Sequence, residues 1–345
     1  MDAARVVPQD LAGLGESCTR MGSPFFGTIL RAAAAAYERD ETLSTMLDRH
    51  VDRPRIGLRL GGAAHYRVLR GLAPEAAAHY PSTGGDGDAF AAWNAILADI
   101  HANTQAYDRL LERHVQTNEV ARAMPLLGAM LAYAHAWPLD LRVFEIGSSA
   151  GLLLNFDRYR YRGDGWVWGD ERSPVELQNR TVSGAPQYLD APIHVIERHG
   201  CDVHPLNAAD DDDADTLLSF VWPDQHERFE RLRAALRVAR EHPVDVVQGD
   251  GIDWARMAAQ PGHGTATVVF HTVITEHMTA DTTARLGETI EALAAHATPS
   301  APLGWIRMEP AESGYDTRLT RWPGAEELPI ARSDGHAQHL RWYDS

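Results

Sequence analysis

The segment from residue 143 to residue 151 constrains the fold of this chain more than any other. It reads Val-Phe-Glu-Ile-Gly-Ser-Ser-Ala-Gly, an apolar strand that ends near an acid and leads into a turn of small residues. The apolar run at residues 152–154 predicts that a helix follows the turn. Small residues let the backbone pass close to a ligand, and a helix amino terminus offers unpaired N–H groups. The segment therefore predicts a nucleotide-binding strand-turn-helix unit.

The spacing of the small residues indicates which nucleotide the turn suits. A dinucleotide fingerprint requires glycine at its first, third and sixth positions, but these positions hold Gly147, Ser149 and Leu152. Glu145 is instead followed by small residues two, four and six positions later, at Gly147, Ser149 and Gly151. With serine in place of the middle glycine, this series resembles motif I of the class I S-adenosylmethionine-dependent methyltransferases. An ordinary strand-to-helix turn of an α/β protein is the alternative.

The composition excludes several kinds of function. A formal net charge of -16 without a basic cluster argues against a nucleic-acid partner. All 32 basic residues are arginine, which excludes a pyridoxal Schiff base and the lysine of a Walker loop. The two cysteines, Cys18 and Cys201, are too few for a disulfide scaffold or a thiolate metal site, so we expect no metal and a reducing, cytoplasmic location. Without a secretion signal or an apolar run of about 18 residues, we expect no membrane association.

The pattern along the chain changes near residue 140. Earlier residues read as helical, because Ser23 and Pro24 open a helix over residues 25–39 and Asp88 opens a longer one. Later residues alternate between short β-rich runs and helices, which predicts a parallel sheet with crossover helices. The predicted strands cover residues 142–146, 193–200, 244–248, 267–271 and 303–308, and the clearest helices cover residues 225–240 and 281–295.

Two local patterns add detail to this outline. Residues 159–168 read as a β-hairpin around an Asp-Gly turn at residues 164 and 165. Asp224 follows Trp222 and Pro223, and we interpret it as a helix-capping acid rather than as a functional group.

Acids stand at or near the ends of the first three predicted strands. Glu145 closes the first, and the second and third lead into Asp202 and Asp250. Ligands bind at the carboxyl ends of strands in open α/β sheets, so together the acids favour a cofactor site, although Asp202 or Asp250 alone would more often be a turn residue or a helix cap. Asp202 follows Glu145 by 57 positions, so an insertion separates them. Glu197 competes for the role of Asp202, although the neighbouring Arg198 could simply pair with it.

The resemblance to the class I methyltransferases covers residues 141 to 308. It implies an α/β fold with a Rossmann-like sheet, a β-hairpin insertion and an N-terminal helical cap. The cap would comprise residues 1–140, and the S-adenosylmethionine-binding domain residues 141–345. Asp202 would accept hydrogen bonds from the ribose hydroxyls, and Asp250 would receive one from the adenine amino group. The remaining residues of the implied cofactor turn are Glu145, Gly147, Ser149 and Gly151.

The segment at residues 116–122 lies just before the first predicted strand. In the methyltransferase fold such a segment covers the methionine end of the cofactor. This resemblance implies cofactor-binding roles for Asn118 and Arg122, the latter as a bidentate partner of the methionine carboxylate. A capped surface helix that begins at Thr117 is the alternative.

His271 ends the fourth predicted strand, which in the methyltransferase fold faces the transferred methyl group. Histidine accepts a proton near neutral pH, so we predict His271 as the catalytic residue. The expected function is methyl transfer from S-adenosylmethionine to a small molecule, which requires donor and acceptor to be held in line. One alternative is a cyclase or lyase that uses the same cofactor, and another is a non-catalytic nucleotide-binding module. A nicotinamide oxidoreductase is less favoured, because Leu152 occupies a position where dinucleotide binding requires glycine.

The chain also resembles one uncharacterised bacterial family that carries only a domain-of-unknown-function label. This resemblance extends over most of the chain and supplies no activity. It rests on residues 116–122, the turn after Glu145, and residues 157–161, 221–225 and 269–271.

Overall fold

The computed structural model describes residues 3–117, 119–178 and 181–343. The protein has a mixed α/β fold with a large, mostly parallel central sheet and helices. The helices are α1 (Ala3–Arg20), α2 (Pro24–Tyr37), α3 (Glu41–Asp48), α4 (Ile56–Leu69), α5 (Pro74–Ala77), α6 (Ala89–Leu111), α7 (Ala123–Ala136), α8 (Asp211–Ser219), α9 (His226–Glu241), α10 (Gly251–Ala258) and α11 (Ala280–Ala294).

The strands include all five that the sequence predicts, with ends that differ by a few residues. They are β1 (Asp140–Ile146), β2 (Arg160–Gly163), β3 (Trp166–Trp168), β4 (Glu176–Gln178), β5 (Thr181–Ser183), β6 (Val195–Asp202), β7 (Asp245–Gln248), β8 (Thr265–Thr272), β9 (Leu303–Pro310), β10 (Tyr315–Trp322), β11 (Glu326–Ser333) and β12 (His339–Trp342).

The chain forms two compact units. The first contains the described residues up to Thr117 together with Asp210–Arg233, and the second contains the remaining described residues. This division differs from the predicted boundary after residue 140. Helix α7 belongs to the second unit because it packs on the sheet, where the Tyr133 hydroxyl donates to the carbonyl oxygen of Thr267 at 3.0 Å.

The first unit is helical, and its apolar helix faces surround one core. Leu30, Met46 and Ile96 are among its fully buried side chains. Helix α6 begins as the sequence predicts, because the Asp88 carboxylate accepts the backbone N–H groups of Phe90 and Ala91, each at 3.0 Å. A side-chain cap of this kind satisfies N–H groups that have no partner within the helix.

Asp224 is a cap, but of a helix distant in sequence. Its carboxylate accepts the hydroxyl of Ser23 and, at 2.9 Å, the backbone N–H of Phe25. These residues form the start of α2, where the Ser23 side chain makes no capping bond of its own. Capping is thus confirmed, while the capped helix was not foreseen. Both partners belong to the first unit.

The second unit is built on a nine-stranded sheet of order β5-β12-β11-β10-β9-β8-β1-β6-β7. Strands β7, β6, β1, β8 and β9 are parallel to one another, and β10 to β12 continue the sheet from β9 as an antiparallel meander. After β1 the chain builds outward through β6 and β7, and it then returns to the other side of β1 with β8. The switch in strand order therefore lies between β1 and β8, where ligands of open α/β sheets bind.

The two faces of this sheet are covered by different helices. Helix α7 packs over β9, β10 and β11, while α10 and α11 share an apolar core with Phe144 and Val269 on the opposite face. Successive side chains along a strand point to opposite faces of the sheet. Neighbouring residues of β1 or β8 therefore contact different helices.

The predicted hairpin is confirmed as β2 and β3, which pair antiparallel and form a small sheet with β4. The helix predicted directly after the turn is wrong in kind, because Leu152–Arg158 is a 3-10 helix. Side chains take carbonyl oxygens that an α-helix would use internally. Tyr159 donates to Leu152 at 2.5 Å, Tyr161 donates to Phe156 at 2.6 Å, and Arg198 donates to Leu154 at 2.7 Å.

Candidate functional site

The turn after β1 has three residues in the left-handed region of backbone space. The φ angles are +74° at Gly147, +52° at Ser149 and +67° at Gly151. Glycine adopts such angles without steric cost, whereas serine does so at a penalty of about 1–2 kcal/mol. The N–H groups of Gly147 and Ser148 donate to the carbonyl of Cys201 at 2.8 and 3.2 Å. The turn is therefore tied to the end of β6.

A second turn, after β8, contacts the first. A Cβ atom on Gly147 would lie 2.5 Å from Cγ2 of Ile274, so a larger residue does not fit without movement. The preceding residue, Val273, has a φ of +57°, which is an outlier for a β-branched residue. Strained residues of this kind concentrate at functional sites. The two turns at the switch point thus form one contiguous region.

Glu145 is buried at the end of β1, with 3% of its surface exposed. Burial raises the pKa of Glu145 well above its ordinary value, the charge of Asp202 adds to this rise, and the charge of Arg122 opposes it. Among the described residues, neither Oε2 of Glu145 nor the buried hydroxyl of Ser148 has a hydrogen-bond partner. Since buried polar atoms are normally paired, these two atoms have spare capacity for a ligand or for water.

Asp202 lies beside the turn, at the end of β6. Its Oδ2 accepts the N–H of Ser149 and its Oδ1 accepts the N–H of His204, both at 2.8 Å. A carboxylate oxygen has two lone pairs, so each oxygen can accept one further bond. The predicted ribose role remains a prediction, and the structure adds a role in holding the turn.

Glu197 lies away from this edge of the sheet. It pairs in register with Arg142 near the start of β1, and the Arg142 guanidinium donates to its carboxylate at 2.8 Å. The suggestion that Arg198 pairs with Glu197 is wrong, because adjacent strand residues point to opposite faces. Arg198 instead donates to both carboxylate oxygens of Asp157, at 2.7 and 2.8 Å.

Asp250 takes the capping role that the sequence left open as an alternative. Its Oδ1 accepts the N–H groups of Ile252 and Asp253 at 2.8 and 3.1 Å, at the start of α10. The predicted contact to adenine is not tested by this arrangement and remains a prediction.

Arg122 is buried, and its guanidinium binds two backbone carbonyls. Nε donates to Gly335 at 3.0 Å and Nη1 donates to Thr272 at 3.3 Å. The alternative of a surface helix beginning at Thr117 is wrong, because Glu119 caps a short buried 3-10 turn, Val120–Arg122, that leads into α7. Asn118 lies outside the described residues.

His271 is the penultimate residue of β8 and is almost completely buried, with 1% of its surface exposed. Its Nδ1 lies 2.6 Å from Oε1 of Glu309, and its Nε2 has no hydrogen-bond partner among the residues that the structure describes. The predicted roles of His271 and Glu145 assign both side chains to one site, whereas the register separates their directions. Glu145 pairs with Phe270, so alternation puts Glu145 and His271 on opposite faces of the sheet at its shared carboxyl edge.

Glu309, at the end of β9, was missed by the sequence analysis. Besides His271, it accepts the N–H groups of Ile274 and Thr275, each at 3.1 Å, and the Thr275 hydroxyl at 2.6 Å. Burial alone would raise the pKa of Glu309, but the hydrogen bonds and charge of His271, with those bonds from the turn, hold it below its ordinary value. The same sequence pattern was present here, because Glu309 directly follows the fifth predicted strand, just as acids stand at or near the ends of the first three.

The described residues contain no group of three or more His, Cys, Asp or Glu side chains that could hold a metal ion. In the same part of the chain, no helix combines the length and the apolar character that crossing a membrane requires.

Fold and site together define an α/β protein with its candidate site at the carboxyl edge of a mostly parallel sheet. The chain belongs to the family described as an uncharacterized protein conserved in bacteria (DUF2332), whose model matches residues 9–342. Neither a curated protein nor a solved structure matches the chain.

Proposed function

We propose that the chain is an S-adenosylmethionine-dependent methyltransferase that acts on a small molecule. The observation that carries the proposal is the end of β1, where a left-handed turn follows the buried Glu145 at the switch point of the sheet. The five parallel strands lie side by side in the order β7-β6-β1-β8-β9. Numbered by their sequence among these five, that order is 3-2-1-4-5. An order that reverses beside the first strand provides a crevice for a nucleotide cofactor.

The polar atoms around the turn fit this cofactor. The amino group of its methionine moiety would donate to Oε2 of Glu145, which has no partner among the described residues. Its ribose hydroxyls would donate to the remaining lone pairs of Asp202, and its adenine amino group to Asp250. Gly147 and Gly151 let the turn adopt its left-handed angles while Ile274 and Val244 pack directly against it. The predicted pairing of Arg122 with the methionine carboxylate stays part of the proposal.

The chemistry divides between the cofactor and the chain. When bound, S-adenosylmethionine supplies an electrophilic methyl group on its sulfonium sulfur. The residues of the chain orient the acceptor, exclude water and receive the acceptor's proton where there is one. Nε2 of His271 is the atom for this last task, because Nδ1 is held by Glu309. Much of the remaining rate enhancement would come from positioning.

Hydrogen exchange with S-adenosylhomocysteine tests the proposed site. Amide exchange should slow at residues 145–151, and slowing at residues 119–122 would support the predicted cofactor contact of that segment. Strand β10 lies three strands from β1 in the sheet and serves as the internal control, with unchanged exchange. If NAD but not S-adenosylhomocysteine slows amide exchange at residues 145–151, the methyltransferase proposal is wrong and a nicotinamide enzyme is favoured.

Product analysis separates methyl transfer from the alternatives on the same cofactor. Methyl transfer releases S-adenosylhomocysteine, whereas cyclisation or elimination at another sulfonium carbon releases methylthioadenosine. Binding with neither product in any acceptor mixture would indicate a non-catalytic nucleotide-binding module.

A further inference from the structure

Two buried nitrogen atoms on neighbouring strands lack hydrogen-bond partners among the described residues. They are Nε2 of His271 on β8 and Nε1 of Trp305 on β9. Val269 pairs with Trp305, so His271, two residues further along β8, shares a sheet face with Trp305. The two ring centroids are 5.9 Å apart. The two unpaired nitrogens therefore belong to neighbouring rings on one face of the sheet.

The protonation of His271 follows from its partner. Glu309 already accepts three hydrogen bonds from Ile274 and Thr275, which is the bonding pattern of an ionised carboxylate. Nδ1 of His271, 2.6 Å from this carboxylate, must therefore donate and carry a proton. In the neutral imidazole, Nε2 is then an acceptor, whereas the indole nitrogen of Trp305 is a donor only.

We infer that the second substrate is a hydroxyl compound whose hydroxyl group binds between Nε2 of His271 and Nε1 of Trp305. The inference rests on the proposed methyltransferase function. A hydroxyl group donates one hydrogen bond and accepts others, so it satisfies both nitrogens at once. A carboxylate has no proton for Nε2, a tertiary amine has none either, and an ammonium group has no lone pair for the indole N–H.

This arrangement also identifies Nε2 of His271 as the atom that receives the proton of the acceptor hydroxyl. The acceptor oxygen loses its proton to Nε2 of His271 and forms a bond to the transferred methyl carbon. The bond from that carbon to sulfur breaks, and its electron pair stays on sulfur. His271 becomes an imidazolium that faces the ionised Glu309. Glu309 is thus a positioning residue, since it fixes the tautomer and stabilises the charged ring without touching the substrate.

The histidine tautomer provides the first test and needs no substrate. Nitrogen-15 NMR of the free protein should show His271 with its proton on Nδ1. Glu309→Gln should shift the ring towards the Nε2-protonated form, because the new amide can donate to Nδ1. Glu312→Gln removes a nearby exposed charge and should leave the tautomer unchanged. A proton on Nε2 in the wild type, or no response to Glu309→Gln, would overturn the assignment.

Titration with phenol and toluene provides the second test. These probes have similar shapes, and only phenol carries a hydroxyl group. Phenol should shift the signals of His271 Nε2 and the Trp305 indole N–H, while toluene should not. Trp305→Phe and His271→Gln should each weaken phenol binding about twofold to tenfold. Trp322→Phe, in the same apolar cluster, and His199→Gln are the controls and should bind phenol normally.

The outcomes separate this inference from the proposed function. No phenol-dependent shift, or an equal shift with toluene, would mean that the nitrogens hold only a buried water or remain unpaired, and the hydroxyl site would be rejected. Calorimetry with S-adenosylhomocysteine on the same preparation tests the cofactor independently. Cofactor binding without a phenol response overturns only the hydroxyl inference. A phenol response without cofactor binding overturns the proposed function, and with it the role of this hydroxyl as a methyl acceptor.

Discussion

Oδ2 of Asp202 lies 2.8 Å from the backbone nitrogen of Ser149, so the acid that ends β6 holds the turn that follows β1. Ser149 has the left-handed φ of +52°, and this bond contributes to keeping a serine in that conformation. The same carboxylate is the predicted ribose acceptor. Structural support and ligand binding are therefore coupled at one side chain.

Asp202→Asn should lower both stability and affinity. Asparagine has one carbonyl oxygen where two backbone N–H donors now bind, so the free energy of unfolding should fall by about 1–3 kcal/mol. Affinity for S-adenosylhomocysteine should fall about tenfold to a hundredfold, measured by calorimetry. The control is Glu197→Gln, which removes a half-exposed ion pair to Arg142 and should cost less than about 1 kcal/mol. If only Glu197→Gln weakens binding, the ribose role moves to Glu197.

Gly147→Ala should destabilise the chain by more than its backbone strain alone. Its new Cβ would lie 2.5 Å from Cγ2 of Ile274, so overpacking adds about 1–3 kcal/mol. The matched control is Gly165→Ala, since Gly165 has a similar φ of +76° and a Cβ there would meet nothing within 4 Å. Chemical denaturation should show the larger loss for Gly147→Ala.

A double variant isolates this steric contact. Ile274→Leu conserves volume but moves the branch away from Cβ, so it should recover part of the stability that Gly147→Ala loses. The coupling energy of the pair should be about 0.5–3 kcal/mol. If the stability changes of the two single variants add up to that of the double variant, residues 147 and 274 are not in steric conflict.

Much of the second unit could be predicted because its five parallel strands read as short β-rich runs, and the two at the centre, β1 and β8, are largely buried and mainly apolar. The five runs and the acids that follow them gave the strands and located Glu145 and Asp202. Strands β10 to β12 lack such runs and are interrupted by charged residues, such as Arg318 and Arg321 in Tyr315–Trp322, so nothing in the sequence separated them from loops.

The misses concern contacts between residues distant in sequence. Asp224 was recognised as a cap, but its partner Phe25 is 199 positions away. Arg198 binds Asp157, 41 positions away, rather than its neighbour Glu197. The bond between His271 and Glu309 spans 38 positions. Pairings of this kind depend on strand register and side-chain face, which local patterns do not encode.

Asp224→Ala should destabilise the first unit. It removes the acceptor of Ser23 and of the Phe25 N–H, and loss of a helix cap costs about 0.5–2 kcal/mol. Asp52→Ala is the control, because Asp52 is an exposed acid of the same unit and such changes stay within about 0.5 kcal/mol. Equal stabilities of the two variants in urea would contradict the cap.

Glu145 should make stability depend on pH. Burial raises the pKa of Glu145 in the folded chain above the ordinary value of 4.5, Asp202 adds to the rise, and Arg122 opposes it. The unfolded chain therefore loses this proton at lower pH, so the free energy of unfolding falls as the pH rises from about 4.5 towards the folded-state pKa. Glu145→Gln has no such proton, and its stability should fall less over this range. Parallel curves for the two proteins would contradict a buried, protonated Glu145.

Calorimetric titration of the wild-type chain with S-adenosylhomocysteine, and separately with NAD, distinguishes a methyltransferase cofactor site from a dinucleotide site. The turn after β1 has the spacing of a methyltransferase motif, and Leu152 occupies a position where dinucleotide binding requires glycine. We expect saturable binding of one S-adenosylhomocysteine per chain and no heat from NAD. Binding of NAD, or no binding of S-adenosylhomocysteine by the folded protein, would contradict this expectation.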